Sequence, residues 1–431
     1  MFRRLVPPES INGRQPPTAA MVYTPWIVSW LMVYQRLSGY GSLAAAVAEL
    51  TRLNAELLPD TKRVREGTLS SNTGAYAQAR DRLDVESAQA AATEVSNALI
   101  AESAPSLGER RVFIVDGSTL SLAPTDSLRQ AFPPAQNQHG SSHWPILRLV
   151  TVHELSSGAA IYPEIGRMYG PEAVGEVELS RGLLARIPAA SVLLGDRNFG
   201  VFAFAWQARE HGHDFVLRLK EDRFRALLRR AMPMGKGEWT LAWKPSRPDR
   251  RNNPGLPAEA VLQVRLHEVR LSEELTLWMV SSLEEGKEAL AELYHGRQYI
   301  ETDLRDLKRT LRLEEMRSRS VELVRKELAA ATIAYNLVVL IRRVAAAKVQ
   351  VPPRRLSFSR VWAIVKVLLL ESFAVGTAAE AQQRIERVLR MAGQCKLPHR
   401  PNRHYPREVI PRRRKFPERP KTRPVRESKC H

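Results

Sequence analysis

Cysteine is nearly absent from this chain. Its 431 residues include two, Cys395 and Cys430, and neither belongs to a Cys-x-x-Cys pair. That excludes a disulfide framework and argues against a structural zinc site. His399, His404 and His431 lie nearby but lack finger spacing. Long apolar runs are missing as well: residues 26–34 and 328–341 are too short or too polar to span a bilayer. The N-terminal Met1-Phe-Arg-Arg-Leu-Val-Pro-Pro has no apolar stretch of the secretory kind. Acid is scarce relative to base, with 46 Asp and Glu against 65 Lys and Arg, a net charge of +19 and a pI near 10.3. A balance of this kind calls for a polyanionic partner, with DNA and RNA ahead of an anionic membrane surface. With 44% apolar residues the chain is globular and long enough for a sizeable core. The expectation is a protein of the reducing cytoplasm, with no membrane partner.

Periodicity divides the chain. Residues 1–108 read as helical, with a long apolar-periodic segment over 23–53 broken near Gly39-Tyr-Gly41 and an alanine-rich one over 73–99. The region fits either a DNA-binding module or a packing bundle. From Arg111 the pattern changes to short β-rich runs and helices. Strands are expected at 112–122, 144–152, 158–163, 189–195 and 214–220, and helices at 177–184 and 203–211. Residues 235–282 hold three alternating strands, after which helices resume at 322–347 and 357–391. This is an α/β pattern with a β-rich insertion at about 222–284. The last segment, 396–431, carries 13 Lys and Arg against three Glu, and seven prolines. It reads as a basic tail for nucleic acid rather than a packed element.

The most specific pattern is Tyr294-x2-Arg297-x3-Glu301-x6-Lys308. On one continuous helix, counted from Tyr294, the other three fall near roughly 300°, 340° and 320°, a single narrow polar face. Leu293, Ile300, Leu304, Leu307 and Leu311 make the adjoining apolar stripe, and Glu292, Asp303 and Asp306 point elsewhere. A carboxylate among cations suits a site that holds metal and phosphate together; a solvated face of i,i+4 pairs is the plainer alternative. Two further acids, Asp116 and Asp196, follow buried apolar runs, where α/β folds place ligands. Taken singly, Asp116-Gly117 is also a turn pair, and Asp196 could cap a helix or pair with Arg197. Three converging carboxylates need divalent cations between them, and two Mg²⁺ serve in-line phosphoryl displacement.

Three blocks resemble bacterial insertion-sequence transposases of the Asp-Asp-Glu class, in the group marked by the Tyr-(2)-Arg-(3)-Glu-(6)-Lys signature. They are Val115-Asp116-Gly-Ser-Thr-Leu, then Gly195-Asp196-Arg-Asn-Phe-Gly200 with Asp214-Phe-Val-Leu-Arg-Leu-Lys220, and the Tyr294, Arg297, Glu301, Lys308 set. The resemblance implies a ribonuclease H-like core at 109–350 interrupted by the β insertion. It also implies an N-terminal DNA-binding region at 1–108, a helical region at 351–395 and the basic tail. Asp116, Asp196 and Glu301 would be the catalytic triad binding Mg²⁺ or Mn²⁺, as two ions. Tyr294, Arg297, Lys308 and Arg197 would contact DNA. The partners would be the terminal inverted repeats and target DNA, with a homodimer holding two ends at the bacterial nucleoid. Trp278 lies on a strand suited to stacking on a flipped base but reads as a core residue. A non-catalytic end-binding inhibitor and a structure-specific nuclease are the alternatives; the first would lack an acid of the triad, and the second would cleave without strand transfer.

Overall fold

The structure, a computed structural model, describes residues 2–398 apart from 40, 52–57, 139, 274 and 372–376. Residues 1–396 belong to one compact unit. The basic tail falls almost entirely outside the described residues, as do Cys430, His399, His404 and His431.

The architecture is mixed α/β around a ten-stranded sheet. Its strands are β1 (Val112–Ser121), β2 (Pro134–Asn137), β3 (Gly140–Glu154), β4 (Glu164–Arg167), β5 (Val192–Gly195), β6 (Asp214–Arg218), β7 (Met232–Gly235), β8 (Glu238–Trp243), β9 (Leu262–Arg270) and β10 (Thr276–Ser281). They lie in the order β2-β3-β1-β5-β6-β10-β9-β8-β7, with β4 also paired to β3. β1 is antiparallel to β3 and parallel to β5, which is parallel to β6. Strands of the middle are apolar on both faces, as a sheet covered on both sides requires; all four residues of β5 are buried. The three strands expected at 235–282 do not stand apart. β10 pairs antiparallel with β6, so β10, β9, β8 and β7 prolong the same sheet.

Alternate residues of the central strands face two cores. Phe113, Val115, Leu193, Phe215 and Leu217 join the larger one, which includes the helix Glu176–Leu184 through Leu183 and Leu184. Val112, Ile114, Val192, Leu194 and Val216 join Leu290, Tyr294, Ile300 and Leu304 on the other face. The stretch that follows the sheet is therefore bound down by its apolar stripe, as its periodicity implies.

Two expectations are corrected. The strand expected at 158–163 is not a ladder strand; the pairing moves to β4, and only one bridge, His153 to Ala160, falls in the earlier stretch. The stretch carrying the four-residue signature is not one α-helix either. It runs as Lys287–His295 (α), Gly296–Gln298 (3₁₀), Tyr299–Arg305 (α) and Asp306–Thr310 (π). Each change of helix type resets the 100° phase, so the shared face cannot rest on counting alone.

The N-terminal helices Pro25–Ser38, Gly74–Arg82 and Val85–Ala101 pack against the helix Val321–Lys348. Thr24 starts the first, its hydroxyl accepting from Ile27 N–H, and Gly39 ends it in the left-handed region at φ 74°. Val321–Lys348 is 28 residues long and, by length and composition, apolar enough to cross a membrane, but 83% of its apolar window is buried inside the protein. It is a core helix here. Its Glu327 carboxylate is gripped by Arg36 and Arg80, which ties it to two N-terminal helices.

Candidate active site

Asp116 stands in the middle of β1 rather than at a turn. β1 pairs with β3 through Ser121, with Asp116 opposite Thr151. The pairing with β5 stops sooner, at Val115 and Gly195. Asp196 is the next residue after β5, so both aspartates lie where the parallel ladder opens. The Asp-Gly pair makes no turn because the antiparallel ladder to β3 holds the backbone extended. Asp196 Oδ1 accepts from the Asn198 N–H at 2.8 Å, which fixes the loop behind it.

Asp116 and Ser118 share the β1 face covered by the segment 287–310. Two cations of that segment come down on them. Arg297 lies 3.6 Å from Asp116 Oδ2 through Nη1, and Lys308 Nζ donates to Ser118 Oγ at 3.2 Å. Lys308 also pairs with Glu314 at 3.3 Å. Tyr294 is buried and its hydroxyl has no hydrogen-bond partner. Burial pushes the Tyr294 phenol well above its usual range, while Arg297, Arg218, Asp196 and Asp116 all act on it electrostatically.

Glu301 stands differently. Its side chain is 69% exposed and pairs with Arg297 Nη2 at 3.2 Å. One guanidinium thus separates it from Asp116, and among the described residues no three acids, histidines or cysteines converge at metal-holding spacing. Arg197 is exposed beside Asp196. The structure therefore brings Asp116, Asp196, Tyr294, Arg297 and Lys308 together and leaves Glu301 on the rim.

Burial pushes the Asp116 carboxyl up to about 6; the Gly117 amide and Arg297 oppose this, and Asp196 and Glu176 add to it. A half-buried carboxyl group with acid neighbours favours any bound cation. The donors are hard carboxylate oxygens, which suit Mg²⁺ or Mn²⁺ rather than a thiolate-seeking metal. Asp116 and Asp196 supply donors of the kind such an ion takes.

Sequence reasoning missed two features. Glu176 reaches the same place from the opposite layer, and Asp196 and Asp116 interact with it. Its only signal is its place at the start of a helix. The second is a buried charge cluster behind the site. Arg354 donates to both oxygens of Asp303 at 2.9 Å and to the carbonyls of Leu155 and Glu154. Its guanidinium also sits 4.7 Å from the Tyr299 ring centre. His153 lies 3.7 Å from Asp303. Asp303, two residues beyond Glu301, is thus a buried anchor and not a solvated helix residue; Asp306 is buried as well. Trp278 packs on Phe224 at 4.7 Å between ring centres, in keeping with its reading as a core residue.

The site is thus a pair of aspartates at the opening of the parallel ladder of a large mixed sheet, flanked by cations. The family described as Transposase DDE domain matches residues 107–337, and the chain belongs to that family. It is also similar to the transposase InsG for insertion sequence element IS4 of Escherichia coli (strain K12). The two are 27% identical over 316 residues, covering 71% of this chain and 69% of that protein.

Proposed function

We propose that this transposase cleaves the phosphodiester bonds at transposon ends and joins the freed 3′-OH to target DNA, using Asp116, Asp196 and Glu301 with Mg²⁺ or Mn²⁺. The observation that carries the reading is the meeting of Asp116 and Asp196 at the ladder opening, with Arg297 and Lys308 over them. Around it, strands β4-β3-β1-β5-β6, antiparallel up to β1 and parallel beyond it, support a ribonuclease H-like core within 109–350. Strands β7 to β10 then form its insertion, at about 222–284. Residues 1–108 act as a DNA-binding region and 351–395 as a helical C-terminal region. The tail 396–431 gives charge-driven affinity, and a homodimer holds the two ends.

Asp116 and Asp196, joined by Glu301 as Arg297 releases it, would hold the cation. The chemistry such a cation would supply is activation of the attacking oxygen and stabilisation of the leaving one. Arg297 holds two carboxylates in register without DNA and turns to phosphate when DNA arrives; Lys308, fixed by Ser118, aligns the phosphate chain. Tyr294, with Arg197 from the Asp196 loop, meets the backbone nearby. In the first step water attacks phosphorus and the P–O3′ bond breaks; the water gives up a proton to solvent and the departing 3′-oxygen takes one up, leaving a 3′-OH. In the second the new 3′-OH attacks a target phosphodiester and a target 3′-oxygen departs, so bonds made and broken balance.

The test is cleavage of a duplex carrying the element's own terminal repeat. Asp116→Asn and Asp196→Asn should each abolish cleavage and leave duplex binding nearly intact, and excess chelator should stop the wild-type protein. Cleavage at wild-type rate by either variant would remove that residue from the site.

A further inference from the structure

Glu176 opens the helix Glu176–Leu184 on the face of the sheet opposite the segment carrying Arg297. Its carboxyl group rests directly on Gly117, the neighbour of Asp116. A β-carbon at Gly117 would lie 2.3 Å from both the carboxyl carbon and Oε1 of Glu176. No side chain fits there without displacing Glu176. The Asn198 side chain donates to the same carboxyl group, and the Asn198 N–H donates to Asp196. One asparagine therefore links Glu176 to Asp196, and one glycine seats it beside Asp116.

We propose that Glu176 is a fourth carboxylate of the cation site, supplied from the layer opposite Glu301. This rests on the reading of the site given above. A plainer role would be to serve the start of its own helix or to neutralise Arg148. Neither accounts for the contact with Gly117 or the shared asparagine. Charge also counts against it, because Glu176 adds a third negative group that interacts with both aspartates. Burial holds its carboxyl group above the usual range, Arg148 opposes this and Asp196 adds to it. An independent sign of a ligand is Tyr294, 7% exposed as a residue, whose buried hydroxyl has no partner and lies within electrostatic reach of both aspartates. A hydroxyl buried in that state is satisfied when a polar ligand or its hydration shell enters.

The test is Mn²⁺ binding to the purified full chain without DNA, followed by electron paramagnetic resonance of free Mn²⁺ at pH 7.5. Glu176→Gln and Gly117→Ala are compared with wild type and with Asp116→Asn, and melting checks that each variant folds. Glu176→Gln should weaken Mn²⁺ binding by about tenfold, as expected for loss of one charged oxygen donor, and Gly117→Ala should weaken it comparably by displacing the carboxylate. Wild-type Mn²⁺ affinity in Glu176→Gln, with Asp116→Asn defective, would overturn the assignment of Glu176 and leave the aspartate site standing. Wild-type affinity in Asp116→Asn as well would overturn the site itself. Should Glu176→Gln fail to fold, Gly117→Ala decides: unchanged affinity there, with Glu176 present but dislodged, also overturns the proposal.

Discussion

Removing the charge of Asp116 should make the metal-free protein more stable, and only above mildly acidic pH. Burial raises this carboxyl from 3.8 to about 6. At 1.36 kcal/mol per unit, the ionised form costs about 3 kcal/mol of folding stability. The sign follows from the direction of the shift. A carboxyl raised by folding favours the native state while protonated, and that support is lost as pH rises through the folded value. The loss thus spans roughly pH 3.8 to 6, and about 2 kcal/mol of it falls between pH 4.5 and 7.5. Asp116→Asn keeps the shape and removes the titration. Melting in EDTA should show the variant gaining on wild type by about 2–4 °C between pH 4.5 and 7.5, taking about 1–2 °C per kcal/mol for a unit of this size. Mg²⁺ at pH 7.5 should then raise the wild-type midpoint and not that of the variant. A gap that stays constant with pH would show that burial does not strain Asp116, and would refute the electrostatic part of the account.

Three other outcomes follow from the same geometry. Asp303→Asn leaves the buried Arg354 guanidinium without its counter-charge and should cost about 3–5 kcal/mol, read as a lower melting midpoint; an unchanged midpoint would mean the pair anchors nothing. Lys308→Ala should slow end cleavage at least about tenfold in single turnover with little change in duplex binding; normal cleavage with a small loss of melting temperature would reduce Lys308 to a partner of Glu314. Deleting residues 397–431, which carry 12 Lys and Arg against three Glu, should flatten the plot of log K against log salt by several units, at about 0.9 per phosphate contact. An unchanged slope would make the tail a bystander.

What could be read from the sequence follows from how local each signal is. β5 and β6 are apolar runs buried on both faces, and their type needs no knowledge of partners. The same runs mark Asp196, because an acid directly after a buried strand has no packing role. The sequence offers Asp116 as a site candidate but gives no sign that it stands mid-strand. Asp-Gly is locally a turn pair, and only the ladder to β3 overrides it. Ile300, Leu304, Leu307 and Leu311 give the buried stripe correctly, since an apolar face tolerates small errors of phase. The polar face does not: the 3₁₀ turn at Gly296–Gln298 and the π segment Asp306–Thr310 move Glu301 to the rim while Lys308 reaches Ser118. Glu176 and the Asp303–Arg354 pair were illegible for another reason. Their partners, Gly117 and Asn198 for the first and residues 51 positions apart for the second, meet only through tertiary packing, and no spacing rule reaches that far.

Glu301 carries the most direct test, because its family pattern puts it in the site while the structure holds it 69% exposed on Arg297. The measurement is single-turnover cleavage of a terminal-repeat duplex by Glu301→Gln, at protein concentrations that saturate binding. Cleavage lost by at least about a thousandfold, with wild-type melting and duplex affinity, is the result expected when a group acts in the chemical step. Cleavage within a few-fold of wild type would contradict the account: the exposed pair with Arg297 would then be the whole role of Glu301, and the three-acid centre would not exist.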